Sequence, residues 1–258
     1  MKGIFDFVVK RLEKAVPYIE RLVPKYSLVG DSIFFSAEQF PWAHEFEANW
    51  AVIRQELDQV LQDVEALPNF QDISTRQYRI ANDNRWKTYF FKAYSFKAQK
   101  NCDRCPETTQ LLERVPGLKV AFFSILAPGK HIPRHRGKHK GLIRYHLGLK
   151  VPEPRDQCRI QIDDQVAHWE EGKSLIFDDT YYHEVWNDTD GYRVVLFLDV
   201  LRPMRFPLSW VNWLVCRLIE ASPIIQDAKA NHDAWEKRLE ERRSTSEAID
   251  PDPKIIVR

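Results

Sequence analysis

The chain has 258 residues, of which 44% are hydrophobic and 12% aromatic, enough to bury one sizeable core. Its 38 basic and 37 acidic residues leave a formal charge of +1, which excludes a whole-chain field that would draw it to nucleic acid. Four cysteines are too few for a disulfide scaffold and favour a reduced, cytoplasmic protein.

Residues 1–45 are interpreted as an amphipathic helical extension. Apolar side chains recur there at helical spacing, at Phe5, Val8, Val9, Leu12, Val16, Ile19 and Val23. The segment has no continuous apolar run, so it does not resemble a signal peptide. The longest apolar stretch, residues 207–219, is interrupted by polar residues and is shorter than the roughly twenty apolar residues of a spanning helix. A cytoplasmic location is expected, and peripheral membrane contact stays open.

Residues 46–205 are predicted to form the main domain. A helix is expected over residues 46–65, where apolar side chains recur at steps of three and four. From Trp86 onward, short aromatic and β-branched runs alternate with Gly, Pro and Asp turns, which favours a mainly β sandwich or jelly roll. Residues 206–243 return to helical spacing, and residues 244–258 are interpreted as a disordered tail.

Two histidines between strand-like segments, His135 and His183, are candidate metal ligands. Imidazole suits Fe(II), and the non-haem oxygenases leave coordination positions open beside two histidines. Alternation along the predicted strands places Arg144 and His146 on one face, and Arg193 faces inward on the last strand. A buried arginine is costly unless it pairs with a carboxylate, so these residues predict a dicarboxylate ligand.

Other polar residues are interpreted as structural. His131 and His139 are expected to be solvated loop histidines, and Cys102 and Cys105 ordinary loop cysteines, because no second cysteine pair stands at zinc spacing. One basic run is interpreted as a rim that attracts an anionic substrate, since it lacks the interleaved aromatic residues of a nucleic-acid surface. Its members are Lys130, Arg134, Arg136, Lys138 and Lys140.

The chain resembles the aspartyl/asparaginyl β-hydroxylase family of Fe(II)/2-oxoglutarate dioxygenases in four segments that occur in the same order. These segments are FSILAPGKHIPRH, GLIRYHLGLKVP, WEEGKSLIFDDTYYHEVWN and YRVVLFLDVLRP. The resemblance covers about residues 46–205 and is firmest over 119–203. It implies a double-stranded β-helix, the cupin-like form of the jelly roll, with flanking N- and C-terminal helices.

The resemblance also implies roles for single residues. His135 and His183 would be the iron ligands. Ser124 and Arg193 would hold the distal carboxylate of 2-oxoglutarate, and Arg144 and His146 would lie beside the carboxylate near the metal.

Related dioxygenases have a carboxylate ligand two residues after the first histidine, but Gly137 occupies that position here. The family shares this trait, which implies two protein ligands with water at a third position. Asp179 is predicted to accept a hydrogen bond from that water.

The implied reaction consumes Fe(II)-activated O2 and 2-oxoglutarate, yields succinate and carbon dioxide, and hydroxylates an unactivated carbon. Family members act on aspartyl or asparaginyl side chains in peptides, and bacterial relatives act on acyl chains of lipid A or ornithine lipids. The N-terminal amphipathic segment and the basic loop after His135 favour a lipid, as does a helix that contains Trp210, Trp213, Leu214 and Ile219. Packing of both helices against the barrel or in a dimer interface stays an alternative. Two alternatives stay open: a non-catalytic barrel that binds a small anion or a membrane surface, and a metal cupin that does not use 2-oxoglutarate.

Overall fold

The computed structural model describes residues 18–74 and 78–249. Most of the amphipathic extension expected at the N-terminus therefore lies outside the described residues, as do residues 250–258. Within the described part, residues 18–26 are helical and are called α1. No helix among the described residues is both long and apolar enough to cross a membrane.

The strands form two antiparallel sheets. They are β1 (Phe34–Phe35), β2 (Trp86–Ala93), β3 (Phe96–Lys97), β4 (Leu118–Leu126), β5 (Lys130–His135), β6 (Leu142–Lys150), β7 (Cys158–Ile162), β8 (Gln165–His168), β9 (Ser174–Phe177), β10 (His183–Asn187) and β11 (Arg193–Leu201). The larger sheet has the order β1-β9-β6-β11-β4-β2-β3, and the smaller one β5-β10-β7-β8. From β4 to β11 the chain passes repeatedly between them. This arrangement is a double-stranded β-helix, and it confirms the predicted jelly-roll core.

Two hydrophobic clusters occupy the two faces of the larger sheet. Between the sheets, Val195 and Phe197 of β11 pack with Ile160 of β7. On the outer face, Val194 of β11 and Tyr145 of β6 pack under the helices. Successive residues of a strand point to opposite faces, so this division confirms the alternation predicted for β6 and β11.

Helices cover the outer face of the larger sheet and also form the C-terminal part of the described chain. They are α2 (Ala43–Ala48), α3 (Trp50–Val60), α4 (Phe70–Ile73), α5 (Gln99–Arg104), α6 (Pro106–Glu113), α7 (Leu208–Glu220) and α8 (Pro223–Ile249). The single helix expected over residues 46–65 is interrupted at Asn49, whose side-chain amide donates to the Glu45 carbonyl oxygen at 2.8 Å. Local side-chain bonds of this kind compete with the helical ladder.

The structure differs from the expected domain limits at both ends. β1 precedes residue 46 but pairs with β9, so part of the presumed N-terminal extension belongs to the main sheet. α8 continues to Ile249, so residues 244–249 are helical rather than part of a disordered tail. Trp235 anchors this helix, since its indole nitrogen donates to the Ala66 carbonyl oxygen at 2.9 Å.

Candidate active site

The two predicted metal ligands lie opposite each other on neighbouring strands. His135 ends β5 and His183 begins β10, and the two residues are paired across the antiparallel ladder. The register shifts between His183 and Val185. Such irregularities re-aim side chains beside active sites. The centroids of the two imidazole rings stand 4.2 Å apart, close enough for both rings to bind one ion.

Backbone hydrogen bonds fix the tautomer of both rings. Nδ1 of His135 lies 2.8 Å from the Pro133 carbonyl oxygen, and Nδ1 of His183 lies 2.9 Å from that of Tyr181. A carbonyl oxygen only accepts, so each Nδ1 carries the proton and each Nε2 keeps its lone pair. Burial lowers the pKa of His135, and burial together with the neighbouring His135 lowers the pKa of His183 to about 3. Both rings are neutral at pH 7, as metal binding requires.

A carboxylate stands beside the position where related dioxygenases have their acidic ligand. A Cβ atom built at Gly137 would overlap both carboxylate oxygens of Asp179. The Gly137 amide donates to the Asp179 carbonyl oxygen at 2.7 Å, which fixes the close approach of the two segments. Burial raises the pKa of Asp179 to about 6, against the opposing effect of the Arg144 guanidinium. The absence of a side chain at residue 137 therefore makes room for the acid at residue 179.

Arg144 lies close to this acid but already has two carboxylate partners. Its Nη2 is 2.9 Å from Oδ2 of Asp179, and its Nε is 3.0 Å from Oδ1 of Asp199. Its guanidinium carbon also lies 4.4 Å from the centroid of the Phe197 ring. Asp199 lies six residues after Arg193 on β11, and therefore on the same face, but no local pattern indicates its pairing with Arg144. Arg144 orients the acid network, and its contact with a cosubstrate stays a prediction.

Arg193 differs from Arg144 because its charge has no carboxylate partner among the described residues. It is 2% exposed, stacks on Trp169 at 4.3 Å, and makes no hydrogen bond through Nε or Nη1. Burial lowers its pKa to about 10, which the neighbouring Cys158 only partly opposes, so the group is still charged at pH 7. Across the ladder, Ser124 pairs with Val195, two residues along β11. A buried, unpaired guanidinium predicts an anion.

His146 supplies a second unpaired donor. Its Nδ1 accepts a hydrogen bond from the Trp169 indole nitrogen at 3.2 Å, so in the neutral ring the proton is on Nε2. Burial, with a smaller effect of Arg193, lowers the pKa of His146 well below its usual value, so the ring is neutral. Its Nε2 has no partner among the described residues. Trp169 thus contacts both donors, and sequence reasoning missed it because it follows β8 in a short connection.

The histidine pair and the donor group belong to one continuous site. The Phe177 ring joins them, since its centroid lies 6.1 Å from that of His183 and 5.1 Å from that of His146. Over the described ranges, no group of three or more His, Cys, Asp or Glu side chains is arranged to hold a metal ion. The site therefore offers two imidazoles at one end and unpaired nitrogen donors at the other, which fits a metal with open positions and a bound dicarboxylate.

The two remaining histidines of the loop region occupy different environments. His131 is exposed on β5 and stacks on Trp186 with ring centroids 5.0 Å apart. His139 is not the solvated loop histidine that the sequence indicated, because its Nε2 lies 2.7 Å from Oδ1 of Asn212 on α7. Burial lowers the pKa of His139. Its contact with α7 ties the loop after His135 to that helix.

The predicted basic rim is mostly neutralised, and the cysteine pair is inert. Lys130, Arg136 and Lys140 form ion pairs with Asp83, Glu20 and Asp31 respectively. Arg134 and Lys138 are exposed. Cys102 on α5 and Cys105 after it are buried and free, so they are helix-associated rather than loop cysteines.

A jelly roll with a histidine pair at its mouth and unpaired donors inside it defines an oxygenase-like class of enzyme. Residues 47–203 match the sequence profile described as aspartyl/asparaginyl beta-hydroxylase, which is more than half of the chain. The chain belongs to this hydroxylase family, as its four segments predicted.

Several proteins are similar to this chain. An ornithine lipid ester-linked acyl 2-hydroxylase of Rhizobium tropici is 47% identical over 87% of this chain and 80% of that protein. The aspartyl/asparaginyl beta-hydroxylase of Homo sapiens is 32% identical over 62% of this chain, but this match spans only 21% of the human protein. Among solved structures, a Pseudomonas putida prolyl-4-hydroxylase covers 72% of this chain and 98% of its own, with 16% identity and a TM-score of 0.39, too distant to assign residue roles.

Proposed function

We propose that this hydroxylase uses Fe(II), 2-oxoglutarate and O2 to hydroxylate an acyl chain of a membrane lipid at the carbon next to its carbonyl. The observation that carries the proposal is that two imidazoles with free Nε2 lone pairs lie with their ring centroids 4.2 Å apart, in the same site as buried nitrogen donors that have no other partner. The lipid is supported by the similarity to the Rhizobium tropici protein, which extends over most of both chains.

The iron would be held by Nε2 of His135 and Nε2 of His183. Their Nδ1 bonds to backbone carbonyl groups keep both lone pairs directed into the site, which is the usual role of groups behind a ligating imidazole. Because Gly137 stands where related dioxygenases have an acidic ligand, a water would occupy the third coordination position. Asp179 is the acceptor placed to hold that water, since its carboxylate adjoins the space at Gly137.

The cosubstrate would lie between the metal and the start of β11. Arg193 would bind its distal carboxylate through the unpaired Nε and Nη1 groups, and Ser124 would add a hydroxyl donor. The Nε2–H of His146 would bind the end nearer the metal. The bound metal supplies oxidative decarboxylation of 2-oxoglutarate with hydroxylation of the substrate. The apolar walls, including Phe177 and Phe197, would exclude water from this step.

The first experiment measures succinate formation that depends on Fe(II) and 2-oxoglutarate. His135→Ala and His183→Ala should abolish it while the circular dichroism and unfolding midpoint stay near those of the wild type. His131→Ala is the matched control, because His131 lies on the same strand but faces solvent. Turnover that survives in either ligand variant would contradict the metal assignment.

The second experiment identifies the substrate and separates an enzyme from a binding barrel. Lipid extracts of cells with and without the protein should differ by a mass gain of one oxygen on an acyl chain. Calorimetric titration should show that 2-oxoglutarate binds more tightly with Mn(II) than without it. A barrel that merely binds an anion should show the same affinity in both cases. Oxygen incorporated into an Asp- or Asn-containing peptide instead of the lipid would support aspartyl or asparaginyl hydroxylation, the activity for which the human relative is named.

A further inference from the structure

α7 carries an exposed aromatic face that the catalytic site does not use. Phe206 just before the helix is 79% exposed, Trp210 is 57% exposed and Trp213 is 47% exposed, and Leu214 is also exposed. Residues 210, 213 and 214 share one side of a helix. We call these four residues the α7 face. Monomeric proteins rarely expose large apolar groups side by side unless the surface binds something.

The opposite side of α7 is fixed to the loop that follows the metal ligand His135. Leu208, Asn212 and Cys216 are buried on that side. Asn212 contacts the His139 ring at 2.7 Å and donates to the Gly141 carbonyl oxygen at 2.9 Å. Whatever binds the α7 face is therefore held at a fixed distance from the histidine pair.

Exposed basic side chains just before α7 and on the loop bonded to α7 have no carboxylate partner among the described residues. Arg205 precedes Phe206 and is exposed, and Lys138 is exposed on the loop bonded to α7. Acidic neighbours are already neutralised, since Glu20 and Glu220 pair with arginines. The local surface is cationic although the whole chain carries only +1.

We propose that the α7 face and these basic residues dock the protein on an anionic phospholipid bilayer. Tryptophan favours the bilayer interface, and lysine or arginine near the headgroups contributes electrostatic attraction. A second copy of the chain fits less well, because a two-fold interface would place the cationic residues of both copies opposite each other.

This inference rests on the proposed lipid substrate and explains how that lipid would reach the active site. A side chain in the interface penetrates about 5–10 Å, to the boundary between headgroups and acyl chains. The carbon next to an ester carbonyl lies at that depth. Because α7 is bonded to the loop after His135, docking through α7 would hold the site at a fixed distance from that depth, without complete extraction of the lipid from the bilayer.

The test uses the full chain and flotation with phosphatidylcholine vesicles, with or without about one third phosphatidylglycerol. Trp210→Ser with Trp213→Ser should weaken binding at least about tenfold. Lys138→Gln with Arg205→Gln should weaken it about thirtyfold on the anionic vesicles and little on neutral ones. Tyr78→Ser is the matched control, because Tyr78 is an exposed aromatic residue far along the chain from α7.

Turnover separates docking from chemistry. The tryptophan variant should lose hydroxylation of ornithine lipid in vesicles but keep it for a short-chain, monomerically dissolved analogue. His135→Ala should lose both activities and still float with vesicles. Vesicle binding that is unchanged in the tryptophan variant would overturn the docking surface, as would a wild-type dimer that this variant dissociates. Tryptophan-dependent binding with no lipid hydroxylation would refute the proposed substrate and leave the docking surface standing.

Discussion

Replacing Arg193 by methionine separates a ligand anchor from a structural ion-pair residue. Most buried arginines stabilise the apo protein through a carboxylate partner, whereas Arg193 has none among the described residues and leaves Nε and Nη1 unbonded. Arg193→Met keeps much of the side-chain volume and removes the charge. We expect a large increase in the 2-oxoglutarate requirement with little loss of apo stability.

The magnitudes follow from the contacts of the side chain. The stacking of Arg193 on Trp169, worth about 2 kcal/mol when desolvated, would be lost. The desolvation cost of an unpaired buried guanidinium, several kcal/mol, would be removed at the same time. The two effects oppose each other, so Arg193→Met should destabilise the apo protein by no more than about 2 kcal/mol. Loss of a desolvated charge pair with the cosubstrate costs about 3 kcal/mol, which is roughly a hundredfold increase in the 2-oxoglutarate concentration needed.

Arg202 provides the matched control. It is as buried as Arg193, but it forms an ion pair with the buried carboxylate of Asp178. Arg202→Met should cost about 3–5 kcal/mol of apo stability because it removes the buried partner of that carboxylate and leaves only Lys140, at 3.6 Å, to pair with it. Urea unfolding without metal or cosubstrate measures stability, and succinate formation against 2-oxoglutarate concentration measures the requirement. Equal destabilisation by the two variants, or an unchanged requirement in Arg193→Met, would refute the reasoning.

Three further predictions concern the surroundings of the site. Gly137→Ala should lower metal affinity about tenfold or more, because the new methyl group overlaps the Asp179 carboxylate and displaces it; competition titration with a chelator measures this, and an affinity equal to that of the wild type would contradict it. Trp169→Phe should raise the 2-oxoglutarate requirement about tenfold, because it removes the indole hydrogen bond to His146. Succinate formation measured against 2-oxoglutarate concentration tests this, and an unchanged requirement would contradict it. The thiols of Cys102 and Cys105 should resist alkylation in the folded protein and react in urea, because burial raises the pKa of both, that of Cys105 to about 12; mass spectrometry after rapid alkylation decides.

The sequence could predict the inward residues of the site because strand alternation is local. In β6 and β11 the period of two separates His146 and Arg193 from the apolar residues of the outer face, and the structure keeps this separation. Partners across the sheet are different, because they depend on register. The ladder places Asp199 opposite Arg144, which lies 55 residues earlier in the chain. A local sequence pattern cannot reveal partners that are so far apart in the sequence.

Single polar contacts explain most of the remaining differences. Asn49 interrupts a helix whose hydrophobic spacing is continuous on either side, and periodicity does not detect a side-chain bond to the backbone. The end of α8 has a composition typical of disorder, but the helix is anchored upstream through Trp235. His139 lies in a strongly basic, polar stretch and is nevertheless held by Asn212, a contact that exists only after α7 packs.

The charges of the site explain why metal and cosubstrate should bind together. Asp179, Arg144 and Asp199 carry a formal charge of −1 when both carboxylates are ionised, which for Asp179 holds above its pKa of about 6, and Arg193 carries +1. The buried site is thus neutral before either ligand arrives. A divalent ion alone or a dicarboxylate dianion alone would leave an uncompensated charge in a low-dielectric interior, whereas the two together restore neutrality. We therefore expect the affinity for 2-oxoglutarate to depend on the metal, and equal affinity with and without metal would contradict this electrostatic account even if both ligands bind.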